Sequence, residues 1–191
     1  MELKDIIKAL ESSKKDYLDI TPNDFPNKPG LYAIFLAKND DIPEQFNGFG
    51  LSVCDCLYVG KSESSLRDRD LGTHFNSGTT GRSTLRRTFG AILKEPLQLR
   101  AVPRGGENDT NRFRNYKFDD ESEEKLTHWM RNHLAIGNCP VEDNDINLKN
   151  IENDVIYAMQ PLLNLTKWQN PNTKAIKEFR AICKEEAKRN S

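Results

Sequence analysis

The chain lacks most of the marks by which a sequence declares its class. No apolar run approaches the roughly eighteen residues that suggest a membrane span, so no transmembrane helix and no membrane partner are expected. The opening Met1-Glu2-Leu3-Lys4-Asp5 carries acids and no apolar stretch, so no signal peptide is expected, and the expected location is cytoplasmic. Cysteine is scarce. Cys54 and Cys56 form a Cys-x-Cys pair, with Cys139 and Cys183 far away, which fits neither a common zinc spacing nor a small disulfide framework. Reduced thiols in or near a core are the expectation. An excess of one charge is also missing, since 28 basic against 29 acidic residues leave a net charge of −1. Bulk charge therefore announces no polyanionic partner. No Gly-Lys-Ser/Thr follows the glycines of Gly78-Thr79-Thr80-Gly81-Arg82-Ser83, so there is no Walker loop and no nucleotide cofactor is expected. His128 and His133 stand five apart, a poor spacing for a metal pair on one helix face, and His133 reads as a core-edge residue.

What is present is a mixed pattern. At 191 residues the chain is long enough for one domain with a real core, taken as 1–191. Leu3, Ile6, Ile7 and Leu10 give the spacing of an amphipathic helix. Pro22, Pro26 and Pro29-Gly30 then break any helix and lead into Leu31–Ala37, whose near-continuous apolar character predicts a strand buried on both faces. Cys56–Val59 returns as a second strand. With no helix between, the two pair most simply as antiparallel neighbours. Helices are expected after Ser83 or Thr84, around Leu126–Leu134, over Leu148–Met159 up to Pro161, and from about Pro171 with Ile176, Phe179 and Ile182 on one face. Alternation over Leu97–Val102 predicts another strand. The class is α/β, of the α+β type, with a small antiparallel sheet sandwiched by helices.

Charge is unevenly spread. Arg82, Arg86, Arg87, Lys94, Arg100 and Arg104 face a single acid, Glu95, in that interval, while 107–124 and 142–154 are acid-rich. Such asymmetry allows a basic face on a neutral protein. Arg112-Phe113-Arg114-Asn115-Tyr116-Lys117-Phe118 interleaves bases with aromatics, a pattern that suits either stacked bases and phosphates or a half-buried edge strand. The glycine-containing segment 78–83 could hold a phosphate at a helix N-terminus, or be a plain loop and cap.

Two tripeptides stand on the predicted strands, Gly30-Leu31-Tyr32 and Tyr58-Val59-Gly60, the second followed by Lys61. Behind them come Arg69, His74, Glu152 and Asn164. Glu152 is flanked by Leu148, Ile151, Val155 and Ile156, so it borders an apolar stripe. A bare carboxylate there needs an ionic or hydrogen-bonded partner. This ordered set resembles the GIY-YIG nuclease family, over roughly 29–166, with 1–20 and 171–190 as flanking helices. Two spacings depart from the family pattern. The stretch between the tripeptides, 33–57, is longer than a short hairpin, and the Arg69-to-His74 interval is one residue longer than a common spacing.

The resemblance implies a metal-dependent endonuclease that hydrolyses phosphodiester bonds in DNA by water attack, with one divalent ion, Mg²⁺ or Mn²⁺. It implies that Glu152 holds the ion and that Tyr32 activates the attacking water. Tyr58 positions water or phosphate, assisted by Lys61; Arg69 faces the scissile phosphate; His74 relays a proton or meets the leaving group. Gly30, Gly60 and Asn164 are expected to be structural neighbours of the site. Arg82, Arg86, Arg87, Arg112 and Arg114 are the expected contacts to nucleic acid, and a protein partner for targeting is allowed. Arg67 competes with Arg69, but on a helix the two point about 200° apart, so one alone can face the site. The alternatives are a nucleic-acid-binding module that keeps the scaffold without turnover, and an RNA-cleaving nuclease.

Overall fold

The computed structural model describes residues 1–37, 44–50, 55–141 and 147–191. Most of the expected loop at 38–55, Cys54, and part of the acid-rich stretch at 142–154 lie outside the described residues. In chain order the elements are α1 (Leu3–Ser12), β1 (Lys15–Asp16), β2 (Gly30–Leu36), β3 (Cys56–Ser62), α2 (Leu66–Arg69), α3 (Thr84–Ile92), β4 (Ala101–Val102), β5 (Lys117–Phe118), α4 (Asp120–His133), β6 (Leu134–Pro140), α5 (Leu148–Met159) and α6 (Thr173–Arg189). A π-helix, Asp70–His74, follows α2. The chain divides into two compact units: Met1–Asp70 with Arg131–Pro171, and Leu71–Met130 with Asn172–Ser191.

The first unit holds a four-stranded antiparallel sheet in the order β1-β6-β2-β3. β2 lies second from the edge and every one of its residues is buried, which is why its sequence is apolar throughout. Its odd-numbered residues, Leu31, Ala33 and Phe35, join Val59 of β3 in one core with Ile6 and Leu10 of α1 and Val155 and Ile156 of α5. Burying each large side chain of this kind is worth about 1.5–3 kcal/mol. The strand β6 is a correction to the expected helix end: α4 stops at His133 and the chain enters β6 directly at Leu134.

The second unit is built on α3, whose residues from Leu85 to Ile92 are all buried, with α6, most of α4 and the short β4–β5 pair. Phe89 packs on Trp129, with centroids 5.8 Å apart. Two expectations fail in this unit. Of the strand expected over Leu97–Val102, only Ala101–Val102 is extended, because Leu97 N–H still bonds Leu93 C=O and Gln98 takes a left-handed turn at φ 52°. On α6 the inward residues are Ile176, Cys183 and Ala187, whereas Ile182 is 51% exposed. No described helix is long and apolar enough to cross a membrane.

Candidate active site

The two tripeptides lie side by side because β2 and β3 pair in antiparallel register, with Tyr32 opposite Gly60 and Ile34 opposite Tyr58. Residues that oppose one another share a face of the sheet, so Tyr32 and Tyr58 are diagonal neighbours on the face away from the α1–α5 core. Their rings are 6.2 Å apart at an interplanar angle of 33°. A side chain at Gly60 would collide with the Tyr32 phenol and press on the Tyr58 ring, so the glycine makes room for the pair. At Gly30 a Cβ would run into the Cys139 carbonyl and the side chain of Leu66, which lets β6 and α2 close on the start of β2.

The two phenols differ in access. Tyr32 is 1% exposed, while Tyr58 is half-buried. Burial thus distinguishes the two phenols: Tyr58 reaches solvent and Tyr32 does not.

β3 is the edge strand, and its outer backbone groups need partners. Asn164 supplies them. Its Oδ1 accepts from Val59 N–H at 2.8 Å and its Nδ2 donates to Val59 C=O at 2.9 Å. Leu163 N–H adds a bond of 2.8 Å to Leu57 C=O. The segment after α5 thus acts as a short extra strand that fixes Tyr58 between two anchored neighbours.

Glu152 lies on the second turn of α5, whose N-terminus is capped by Asn147 Oδ1 accepting from Lys149 and Asn150 N–H. The carboxylate is half-buried and makes no hydrogen bond or ion pair with any described residue. Burial raises its pKa, against the pull of Lys61, Lys167, Arg69 and Lys149. One unpartnered acid therefore stands in a field of four cations. Lys61 is also ion-paired with the exposed Glu63. Arg67 is engaged elsewhere, since its Nε donates to Phe25 C=O at 3.0 Å. Arg69, half-buried, is the arginine in the field of Glu152.

A metal must fit this donor set. Among the described residues no group of three or more His, Cys, Asp or Glu could hold one. A single half-buried carboxylate with no hydrogen-bond or ion-pair partner among the described residues suits a hard divalent ion that keeps most of its shell as water and phosphate oxygen. It does not suit zinc, which takes several nitrogen or sulfur ligands.

Several expected site residues prove to be structural, all in the second unit. His74 is buried; its Nδ1 bonds Ser83 Oγ at 2.8 Å and its carbonyl accepts from Arg86 at 3.2 Å, so the ring is not free to relay a proton. Arg86 is 0% exposed and is the hub of a buried network. It pairs with Glu123 at 2.7 Å and donates to Thr80 Oγ1 at 3.0 Å and Thr127 Oγ1 at 2.9 Å. Arg87 is also buried, donating to the Thr80 and Gly81 carbonyls and to Thr84. Burial, and then the nearby Arg180, lower its pKa to about 10, so it stays charged at neutral pH. Neither Arg86 nor Arg87 can meet a phosphate at the surface. The 78–83 segment is likewise closed, because the carbonyls of Thr80 and Gly81 accept from arginines and Ser83 caps α3 through Arg86 N–H. Arg82 and Arg114 remain exposed, and Arg112 lies 4.7 Å over the Phe113 ring.

Sequence reasoning missed Lys167. Its signal was faint: a lysine three residues after the Pro-Leu-Leu-Asn stretch, in a left-handed conformation at φ 81°.

The model of the family described as GIY-YIG catalytic domain matches residues 30–187. The match runs past the expected end at 166 and takes in most of α6. Neither the curated proteins nor the solved structures gave a match.

Proposed function

We propose, from the premise that the chain belongs to the GIY-YIG catalytic domain family, that this nuclease-family protein is an endonuclease that hydrolyses phosphodiester bonds in DNA with one divalent ion. The observation that carries this reading is Glu152. Ion pairs or hydrogen bonds normally compensate a carboxylate drawn out of water. Among the described residues no hydrogen bond or ion pair compensates it, and the cations around it would attract a phosphodiester.

Glu152 would hold Mg²⁺ or Mn²⁺, which when bound supplies Lewis-acid polarisation of the phosphate. The chain's own groups do the rest. Arg69 offers a planar fork of donors to the non-bridging oxygens and stabilises the charge that builds as water attacks in line. Lys61 and Lys167 add positive charge on the approach. The Tyr58 phenol, with an ordinary pKa of about 10, orients the attacking water by hydrogen bonding rather than by taking its proton outright. Tyr32 is a positioning residue that holds Tyr58 from beneath, and Asn164 does the same from the strand edge. The new P–O bond forms from water as the ester P–O bond breaks; the water's proton goes to solvent and the leaving oxygen is protonated in turn. On the second unit, the exposed Arg82 and Arg114 and the half-buried Arg112 are the proposed contacts to the nucleic-acid backbone.

The test is nicking of supercoiled plasmid in Mg²⁺ or Mn²⁺. Wild type is expected to cut, Glu152→Ala to be inactive, and Tyr58→Phe to be impaired. Equal activity in all three refutes the assignment. A parallel RNA panel separates a DNA enzyme from an RNA enzyme.

The second reading, a binding module without turnover, draws on the burial of Tyr32 and the sparse donor set. It expects salt-sensitive nucleic-acid binding with no cutting in any metal.

A further inference from the structure

Just beyond the end of α5, the first unit carries a concavity of about 370 Å³ lined by Tyr157, Gln160, Trp168 and Gln169. That is near the lower end of small-molecule clefts. Its lining is unusual for a surface hollow, with two aromatic rings and two carboxamides. Tyr157 is 69% exposed and takes no part in the α5 core, which uses Leu148, Val155 and Ile156. Gln160 and Gln169 are exposed.

The wall is rigid. Trp168 Nε1 donates to the carbonyls of Asn164 at 2.9 Å and Pro161 at 3.2 Å, while its ring packs partly on the main core. Asn170, itself buried, donates to the Leu162 and Asn164 carbonyls. Asn164 is the residue clamped to Val59 beside Tyr58, so the Trp168 wall is tied to β3 through one side chain. Gln160 and Lys167, which border the hollow in sequence, are two non-glycine residues held at positive φ, 47° and 81°. At Gln160 this conformation is the C-cap of α5, whose N–H bonds the Ile156 carbonyl.

We infer that this hollow is a subsite for an unstacked nucleobase, gripped between the Tyr157 and Trp168 rings and read along its edge by Gln160 and Gln169. Aromatic rings accept any base face, and carboxamides match the paired donors and acceptors on base edges. A base inside a duplex hides its faces in the stack, so only a single-stranded, flapped, mismatched or extruded nucleotide can enter. The subsite lies about one and a half helical turns from the proposed chemistry, on a different face of α5. Tyr157 follows Glu152 by five residues on the same helix, about 7.5 Å along its axis and about 140° around it. Lys167, next to Trp168, stands in the field of Glu152. A strand whose phosphate sits at Glu152 can therefore turn a base of the same or the neighbouring nucleotide around α5 into the hollow. This assignment rests on the nuclease reading for its place beside the scissile bond, and it narrows the substrate to DNA with unpaired nucleotides at the cut.

The test is binding rather than cutting. Fluorescein-labelled single-stranded 12-mers and the matching duplex are titrated into the full chain in EDTA, with tryptophan emission followed in parallel. Trp129 is buried in the second unit, and a Trp129→Phe background leaves Trp168 as the reporter. The expected result is tighter binding of the single strand than of the duplex, with Trp168 emission quenched by the single strand alone. Tyr157→Ala and Gln169→Ala alter exposed side chains and leave the fold intact. Tyr157→Ala should weaken single-strand binding about tenfold while duplex binding stays unchanged. Equal affinity for both forms, binding of the duplex only, binding of neither, or no change in Tyr157→Ala each overturn the inference. A chain that nicks plasmid yet shows any of these loses the subsite and keeps its nuclease reading. A chain whose Trp168 responds to the single strand but which cuts nothing keeps the subsite and loses the nuclease.

Discussion

Two glutamates, one in each unit, contrast an acid compensated by the fold with the acid proposed to hold a metal. Glu123 on α4 is 1% exposed, and its partners are complete: Oε2 receives Arg86 at 2.7 Å and Thr80 Oγ1 at 2.8 Å, and Oε1 receives Phe118 N–H at 3.3 Å. Glu152 on α5 is half-buried and has no hydrogen bond or ion pair among the described residues. The two acids thus differ in compensation as well as in burial, and it is the lack of compensation at Glu152 on which the proposed metal role rests. Sequence ranks them the wrong way round for burial: Glu152 has Leu148, Val155 and Ile156 at helical spacing, while Glu123, the more deeply buried, has only Leu126 and otherwise Asp119, Asp120 and Thr127.

The sharpest way to break this contrast is to remove the charge from each acid while keeping its shape. Glu152→Gln should lower plasmid nicking by at least about a thousandfold, on the order of 4 kcal/mol of lost transition-state stabilisation, without loss of folded protein. Initial rates in Mg²⁺ alongside a thermal melt check both halves. A variant that cuts normally, or that is inactive only because it is unfolded, removes the distinction. Glu123→Gln and Arg86→Met should do the reverse. Either leaves a charge buried and unmatched, at a cost of about 3–5 kcal/mol, read as a large drop in the urea midpoint of the second unit. Removing both charges together, as Arg86→Met with Glu123→Leu, should recover much of that loss, since a well-packed apolar pair can replace a buried ion pair.

How far the sequence could carry this contrast depends on what each element asks of its residues. β2 was legible because burial on both faces demands an apolar run, and the pairing of β2 with β3 followed from the absence of a helix between them. β6 was not legible. Its residues Leu134-Ala135-Ile136 continue the helical spacing of α4 without a breaker, and the only warning was Gly137, where a side chain would collide with the Leu10 carbonyl. Tyr32, Tyr58 and Gly60 could be placed side by side because strand register brings them together, whereas Asn164, 105 residues from Val59, could be placed only by the family resemblance. The arginines of 82–87 were misjudged for the opposite reason. A stretch of bases reads as surface, yet the acid that buries Arg86 comes from Glu123, 37 residues away. Long-range compensation of this kind leaves no local trace.

A smaller effect is expected at the clamp that holds the edge strand. Asn164→Ala leaves Val59 N–H and C=O without their partners in a buried place, at a cost of about 2–3 kcal/mol in the first unit. Because Val59 lies between Tyr58 and Gly60, kcat should fall even under conditions where the variant is fully folded. Asn164→Asp keeps the acceptor toward Val59 N–H but loses the donor toward its carbonyl, and should lie between wild type and alanine in the melting temperature. If alanine and aspartate variants match wild type in both stability and rate, Asn164 is not what secures Tyr58.

The smallest expected effect carries a sign that a merely structural acid would not give. Burial raises the Glu152 pKa above its ordinary value near 4.5, so the folded state favours the protonated form more than the unfolded chain does. The contribution of Glu152 to stability is thus fully present below the unfolded pKa and is lost as pH rises through the folded one. In EDTA at pH 7, Glu152→Gln should melt slightly above wild type, by under about 1 kcal/mol because the group is half-exposed and screened. The gain should vanish below about pH 4, where the wild-type carboxyl is protonated in both states. Adding Mg²⁺ at pH 7 should reverse the order, since an ion that binds only the folded wild type raises its melting temperature and leaves the glutamine variant unmoved. A melt series over pH 4–8, with and without Mg²⁺, reads all of this at once. Glu123→Gln, whose acid is already compensated by Arg86, should lose stability at pH 7 with or without the ion; if instead Glu152→Gln behaves the same way, the carboxylate on α5 is held by the fold and not for a metal.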